Sequence, residues 1–122
     1  MNIDFASEKP IFLQISDGIE DAVLSGAFPE EAQIPSITEF SVMYKINPAT
    51  ANKGINLLVE RGLVYKRRGI GMFVAAGAVD ALRKKRHEQF IESYVDALVA
   101  EAKRLGISSR EVIKMVEGGF EK

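Results

Sequence analysis

The side chains able to do chemistry in this sequence are mostly cations, and they gather in one stretch. Lys45, Lys53, Arg61, Lys66, Arg67 and Arg68 lie within residues 45–74 against one acid, Glu60, a local charge of +5. Residues 1–44 carry eight acids and one base, Lys9, and the whole 122-residue chain has a formal net charge of −1. A cationic island in an acidic protein marks a surface that meets a polyanion, because each cation that neutralises a phosphate releases a condensed counterion. Interleaved with the bases are Asn47, Thr50, Asn52 and Asn56, whose short polar side chains suit hydrogen bonds to phosphate oxygens or base edges.

Other chemistries are excluded by composition. The chain has no cysteine and a single histidine, His87. Disulfides, thiolate zinc sites, iron–sulfur clusters, cysteine nucleophiles and multi-histidine metal sites are therefore out. The sequence offers neither a nucleophile–base pair nor clustered catalytic carboxylates, so no enzyme, cofactor or metal is expected. A hydrophobic fraction of 47% excludes a disordered chain. No run of about 18 apolar residues occurs, so no membrane partner is expected. The start Met1-Asn2-Ile3-Asp4-Phe5 does not read as a secretory signal, which makes the cytoplasm the expected location.

The elements that must position the cations are legible from caps and periodicity. Residues 1–9 read as extended. Pro10 opens a helix with Ile11, Ile15, Ile19, Ala22 and Val23 on one face, and Gly26 ends it. Residues 27–35 read as a loop. Ser36-Ile37-Thr38-Glu39 is a capping box for a short helix to about Tyr44, with Phe40 and either Met43 or Tyr44 inward. Asn47 and Pro48 start a third helix that runs to about residue 61. Its inner face carries Ala51, Ile55, Leu58 and Val59, and its outer arc Ala49, Asn52, Lys53, Asn56 and Glu60. Residues 63–67 and 72–74 are β-prone, and Arg68-Gly69-Ile70-Gly71 between them makes a hairpin.

After a boundary at Ala75-Ala76-Gly77, one helix is expected from about 79 to 105. It begins with the basic run Arg83-Lys84-Lys85-Arg86, either a solvated face or an added phosphate clamp. It continues with an apolar stripe of Phe90, Ile91, Tyr94, Val95, Leu98, Val99, Ala102 and Leu105. His87 sits at the edge of that stripe and reads as a packed or partly exposed interface side chain rather than a ligand for metal or effector. Gly106 stops the helix. Ser108-Ser109-Arg110-Glu111 is a second capping box, and a last short helix ends at Gly118-Gly119.

The expected fold class is therefore mainly α with a small β-hairpin wing. A winged helix-turn-helix domain occupies residues 1–76 and a two-helix dimerisation tail residues 77–122. In that fold the second helix of the pair enters the major groove of double-stranded DNA and the hairpin reaches a neighbouring groove. The candidate DNA-binding residues are Ser36, Thr38, Asn47, Ala49, Thr50, Asn52, Lys53, Asn56, Lys66, Arg67, Arg68, Gly69 and Gly71. The alternative is a winged-helix adaptor that binds protein and no DNA. It predicts that Arg67 and Arg68 can be neutralised without loss of function. The apolar stripe needs burial, and a second copy of the chain supplies it as a homodimer, with Phe90 and Tyr94 in the interface core. Folding of the tail back onto the winged domain is the other solution.

The residues that carry this reading also resemble a known family, the GntR superfamily of bacterial transcription regulators. The resemblance covers residues 10–74, about half the chain. It rests on Pro10-Ile11-Phe12-Leu13-Gln14-Ile15, on Gly26 with Phe28, on Ile34-Pro35-Ser36 and on Ala49-Thr50-Ala51. It continues through Leu57-Leu58-Val59-Glu60-Arg61-Gly62-Leu63-Val64 and Arg68-Gly69-Ile70-Gly71-Met72-Phe73-Val74. The short tail and the Ile46-Asn47-Pro48-Ala49-Thr50 helix start are similar to the YtrA-type subfamily. The resemblance implies a dimeric, repressor-like regulator on a roughly palindromic operator. A small-molecule effector, unnamed by the sequence, would have to bind at the dimer interface because the tail is too short for a ligand-binding domain. The sequence departs from the family pattern where Thr38 and Asn52 replace arginines, where Pro29-Glu30-Glu31 replaces Pro-Gly, and where Met72 replaces threonine. Lys53 could stand in for the lost arginines only in part, since it points about 100° further round the helix and lacks a planar fork.

Overall fold

Caps set the helix boundaries in the computed structural model, which describes residues 1–122. α1 (Ile11–Ser25) follows Pro10, which occupies the cap position rather than the first turn, and ends where Gly26 takes a left-handed φ of 87°. α2 (Ile37–Tyr44) starts on the Ser36 capping box. The Ser36 hydroxyl accepts from the Glu39 N–H, and the Glu39 carboxylate accepts from the Ser36 N–H, both at 3.1 Å. α3 (Pro48–Glu60) starts where the Asn47 side chain accepts from the Ala49 N–H at 2.8 Å. The turn between α2 and α3 is held by the Ser41 hydroxyl, which donates to the Ile46 carbonyl at 2.6 Å. Phe40 is buried, Tyr44 is half-buried and stacks on it, and Met43 is exposed.

α1 and α3 cross in close contact. A Cβ on Gly54 would lie 2.7 Å from the Phe12 carbonyl oxygen, so glycine there lets the backbones meet. Beside this crossing the fully buried Ser16 hydroxyl donates to the Gly54 carbonyl at 2.6 Å, which removes the penalty of a buried polar group. Ile15, Ile19 and Val23 of α1 pack with Phe40, Ile55 and Leu58 in one core.

The sheet has one more strand than expected. β2 (Val64–Arg67) and β3 (Gly71–Val74) form the hairpin, and β1 (Gln33–Ile34) pairs antiparallel with the other edge of β3, giving the order β1-β3-β2. Two residues are too few to display a period of two, so this strand had no periodic signature; pairing with β3 creates it. The N-terminal residues also differ from expectation. They form turns and bends, and the Gln14 side chain fastens them. Its amide donates to the carbonyls of Asp4 and Lys9 at 2.9 Å and accepts from the Asp4 N–H at 2.8 Å.

The chain divides into compact units Met1–Arg83 and Lys84–Lys122. The first takes in the start of α4 (Ala78–Phe90), because Ala78 and Leu82 are buried in its core. The Glu30 carboxylate accepts from the N–H groups of Gly77 and Val79 at 2.8 and 3.0 Å and so caps α4 from 47 residues away. Those two bonds hold the Glu30 pKa below its ordinary value of 4.5.

The second unit holds only helices, joined by a turn at residues 106–108, and differs from expectation in two places. The helix expected to be uniform from 79 to 105 contains a π-helical turn, Ile91–Val95, before α5 (Asp96–Leu105). No proline or glycine announces it. α6 (Ser109–Phe120) begins on the Ser108–Glu111 capping box as expected. It then continues through Gly118 and Gly119 to Phe120, since glycine disfavours a helix by only about 1 kcal/mol. No helix of the structure is long and apolar enough to cross a membrane.

Ile55→Ala is expected to destabilise the fold by about 2–5 kcal/mol in chemical denaturation, because a fully buried side chain leaves a cavity at the crossing of the helices. Glu30→Gln should lower stability at neutral pH. A carboxyl whose pKa is depressed in the fold stabilises it above its unfolded pKa and ceases to do so as pH falls through the folded value. The wild-type and Glu30→Gln stability curves should therefore separate above about pH 4.5 and converge in more acidic solution. Curves that keep a constant separation at low pH would refute the role of the charge.

Candidate nucleic-acid interface

α3 turns its buried face to α1 and the sheet, and this decides which of its polar residues reach solvent. Ala51, Gly54, Ile55 and Leu58 are buried. Asn47, Ala49 and Lys53 are exposed, and Thr50, Asn52 and Asn56 are half-buried. The structure thus brings six of the expected residues to the exposed side of one helix. The Asn47 side chain is also spent on the cap. Ser36 is similarly committed to Glu39, while Thr38 stands exposed on the first turn of α2.

The two lysines beside this surface are tied back onto the protein. The Lys53 ammonium stands 4.0 Å from the centroid of the Phe12 ring on α1. The Lys66 ammonium on β2 donates to the Asn56 side-chain oxygen at 2.9 Å. Lys53 therefore leans toward α1 and Asn56 toward the wing, with Ala49 on the arc between them.

The three wing cations do not act as a block. Strand side chains alternate between faces, and Lys66 faces α3. Arg67 lies on the opposite face, its guanidinium 5.4 Å from the Phe73 ring centroid. Phe73 stacks on Tyr65 at 5.6 Å, and the Tyr65 hydroxyl donates to the Glu31 carboxylate at 2.9 Å. That bond raises the Tyr65 pKa above its ordinary 10.0, since the neutral phenol is the donor. Arg68 is exposed at the hairpin turn. There Gly69 has φ 75° and Gly71 φ 148°, and the Gln33 amide donates to the Ile70 carbonyl at 3.1 Å. Arg61, the remaining cation of α3's end, turns toward Glu20 of α1 at 3.5 Å.

Sequence reasoning missed Phe12 and Gln33. Phe12 carries no separate signal: at 3.6 residues per turn it falls between Ile19 and Val23 on the apolar face of α1, where it reads as one more core side chain. Gln33 carries none without β1. Phe12 also lines an open cleft of about 370 Å³ with Phe5, Ile11, Lys45, Asn47 and Thr50. No group of three or more potential ligands is placed to hold a metal ion.

In the second unit, Phe90, Ile91, Tyr94, Leu98, Val99 and Leu105 are exposed in the single chain, Val95 is half-buried and Ala102 is buried. Ala102 is thus already covered within its own unit. α6 adds Ile113, Met115, Val116 and Phe120 to the exposed apolar surface. His87 is exposed.

Comparison with known proteins agrees with this geometry. The model of the family described as bacterial regulatory proteins, gntR family, matches residues 12–74. The chain is 32% identical to the uncharacterized HTH-type transcriptional regulator YhcF of Bacillus subtilis, over 98% of this chain and 100% of that one. It is 27% identical to the HTH-type transcriptional repressor YtrA of the same organism, over 98% and 96%. A crystal structure of a GntR-family regulator from Bacteroides thetaiotaomicron superposes with a TM-score of 0.78 at 37% identity, over 91% of this chain and 96% of that one. The DNA-binding domain of AraR, solved in complex with an operator, matches 62% of this chain and 93% of its own with a TM-score of 0.52 at 27% identity. The chain belongs to the gntR family of bacterial regulatory proteins, and its winged helix-turn-helix is that of a DNA-binding transcription regulator rather than an enzyme.

Proposed function

We propose that this protein is a homodimeric repressor that grips a roughly palindromic operator in the cytoplasm. Residues 1–76 bind DNA and the helical tail, residues 77–122, pairs the two copies. The observation that carries the reading is α3 itself: a capped helix with a polar, solvent-facing arc, flanked by lysines and followed by a glycine-turned hairpin bearing Arg68. Asn47, Ala49, Thr50, Asn52, Lys53 and Asn56 present that arc to the major groove. Lys66, Arg68, Gly69 and Gly71 follow the backbone beside it, and Ser36 and Thr38 place the first turn of α2 near a phosphate. Arg67, stacked on Phe73 away from α3, contributes through the general field rather than by contact. The family relatives named as a repressor and as an operator-bound domain support this assignment.

Dimerisation is supported by the tail. Its exposed side chains include two aromatics in contact, Phe90 and Tyr94, with ring centroids 5.6 Å apart, continuous along the chain with Ile91, Leu98 and Val99. Apolar surface of that extent on a small helical unit marks an interface. A two-fold pairing would set two recognition helices about 34 Å apart, or a multiple of that, on one face of the duplex.

Equilibrium titration of the protein with its own upstream DNA should give a log affinity that falls linearly with log salt. Arg68→Ala should reduce that slope by about one, while Arg67→Ala should reduce it by less. Retention of no duplex at low salt would refute DNA binding. Light scattering of the purified protein at micromolar concentration should report a dimer, and Leu98→Glu should shift it to monomer and weaken operator binding. A wild-type monomer at that concentration would refute the pairing.

A further inference from the structure

The lysine of the recognition helix is bound to an aromatic ring of another helix, and this has a consequence for how the helix reads DNA. An α-helix with its side chains is about 10–12 Å across and the major groove about 12 Å wide. A helix seated there turns the middle of its exposed arc to the base edges and its two flanks to the phosphate walls. In α3 that middle is Ala49, and Lys53 stands on the α1 flank, its ammonium 4.0 Å above the Phe12 ring. Phe12 is kept in place from below. Its own carbonyl abuts Gly54, the residue after Lys53, and the Ser16 hydroxyl bonds the Gly54 carbonyl at 2.6 Å. The backbone that carries the ring is thus fixed against α3, beside Lys53. Phe12 also lines the cleft shared with Lys45, Asn47 and Thr50, and Lys53 is exposed, so an anionic oxygen can reach the ammonium from solvent.

We infer that Phe12 is a positioning residue that holds the Lys53 ammonium on the α1 flank of the recognition helix, where it binds a backbone phosphate and does not read a base. Lys53 then does not replace the arginines absent at Thr38 and Asn52. It supplies affinity that is indifferent to sequence. Discrimination falls to Ala49, whose methyl suits a thymine methyl, and to Asn52 and Asn56. A ring holding an ammonium also pre-orders a flexible four-carbon chain before DNA arrives, so less freedom is lost on binding.

This inference rests on the DNA-binding reading above, and one experiment separates the two. The full-length wild-type chain is used to select duplexes from a randomised pool. Binding of one selected and one unselected duplex is then titrated across salt for the wild type and for Lys53→Met, Phe12→Leu, Phe12→Tyr and Phe12→Leu/Lys53→Met. Lys53→Met, at an exposed site, should lower the salt slope by about one, weaken both duplexes by the same factor and leave the selected sequence unchanged. Phe12→Leu should weaken both by about two- to fivefold. Phe12→Tyr, which keeps the ring, should match the wild type, and the double variant should be no weaker than Lys53→Met alone. A Lys53→Met protein that loses preference at one base pair would overturn the inference by making Lys53 a base reader. Equal losses for Phe12→Leu and Phe12→Tyr, or no loss for Phe12→Leu, would overturn the positioning role. A wild type that retains no duplex at low salt would overturn the regulator reading and this inference together.

Discussion

The crossing of α1 and α3 at Gly54 is the contact on which the winged-helix unit depends. Glycine removes the side chain that would collide with the Phe12 carbonyl, and the buried Ser16 hydroxyl bonds the carbonyl exposed by that approach. Because the helices meet there, Ile15 and Ile19 reach Ile55 and Leu58, and the core closes. The same contact orients α3, so that Ala49 and Lys53 face outward and the Phe12 ring lies under the lysine. Packing and the placement of Lys53 are therefore set by one geometry: a shift that opened the core would also move the cation.

The cations of residues 45–74 are less alike than their clustering suggests. Lys53 rests on an aromatic ring, Lys66 on an amide, Arg67 on the outer face of the sheet and Arg61 beside a carboxylate. Arg68 at the hairpin turn and Lys45 after α2 have no such partner among those contacts. The positive field belongs to the whole segment, but phosphate contact depends on which direction each side chain is held. A sum of charges measures the first and says nothing of the second.

The acidic pair Glu30-Glu31, where the resembled family has a proline-linked glycine, is used structurally. Glu31 adopts the left-handed φ of 67° that glycine would take freely. Its N–H donates to the Val74 carbonyl at 2.8 Å while its carboxylate accepts from Tyr65. Glu30 caps α4. Two acids in one loop thus secure the sheet and the start of the helix leading toward the tail, with a left-handed residue costing roughly 1–2 kcal/mol offset by the bonds it makes.

The sequence alone determined the ends of α1, α2 and α3, the start of α6, the hairpin turn and the existence of an apolar tail. Those features are written in residues no more than four apart: Ser36 with Glu39, Asn47 with Ala49, Ser108 with Glu111, glycines at a tight turn. The opposite faces of Lys66 and Arg67 were also legible, since a strand's period of two separates neighbours. Tertiary structure decided the rest. β1 exists because β3 offers an edge, Glu30 caps a helix that begins near residue 78, and Lys53 leans onto a ring 41 positions earlier in the numbering. Local hydrogen bonds choose where a helix begins. Which way its side chains lean is chosen by the surface packed beside it, and that surface comes from distant parts of the chain.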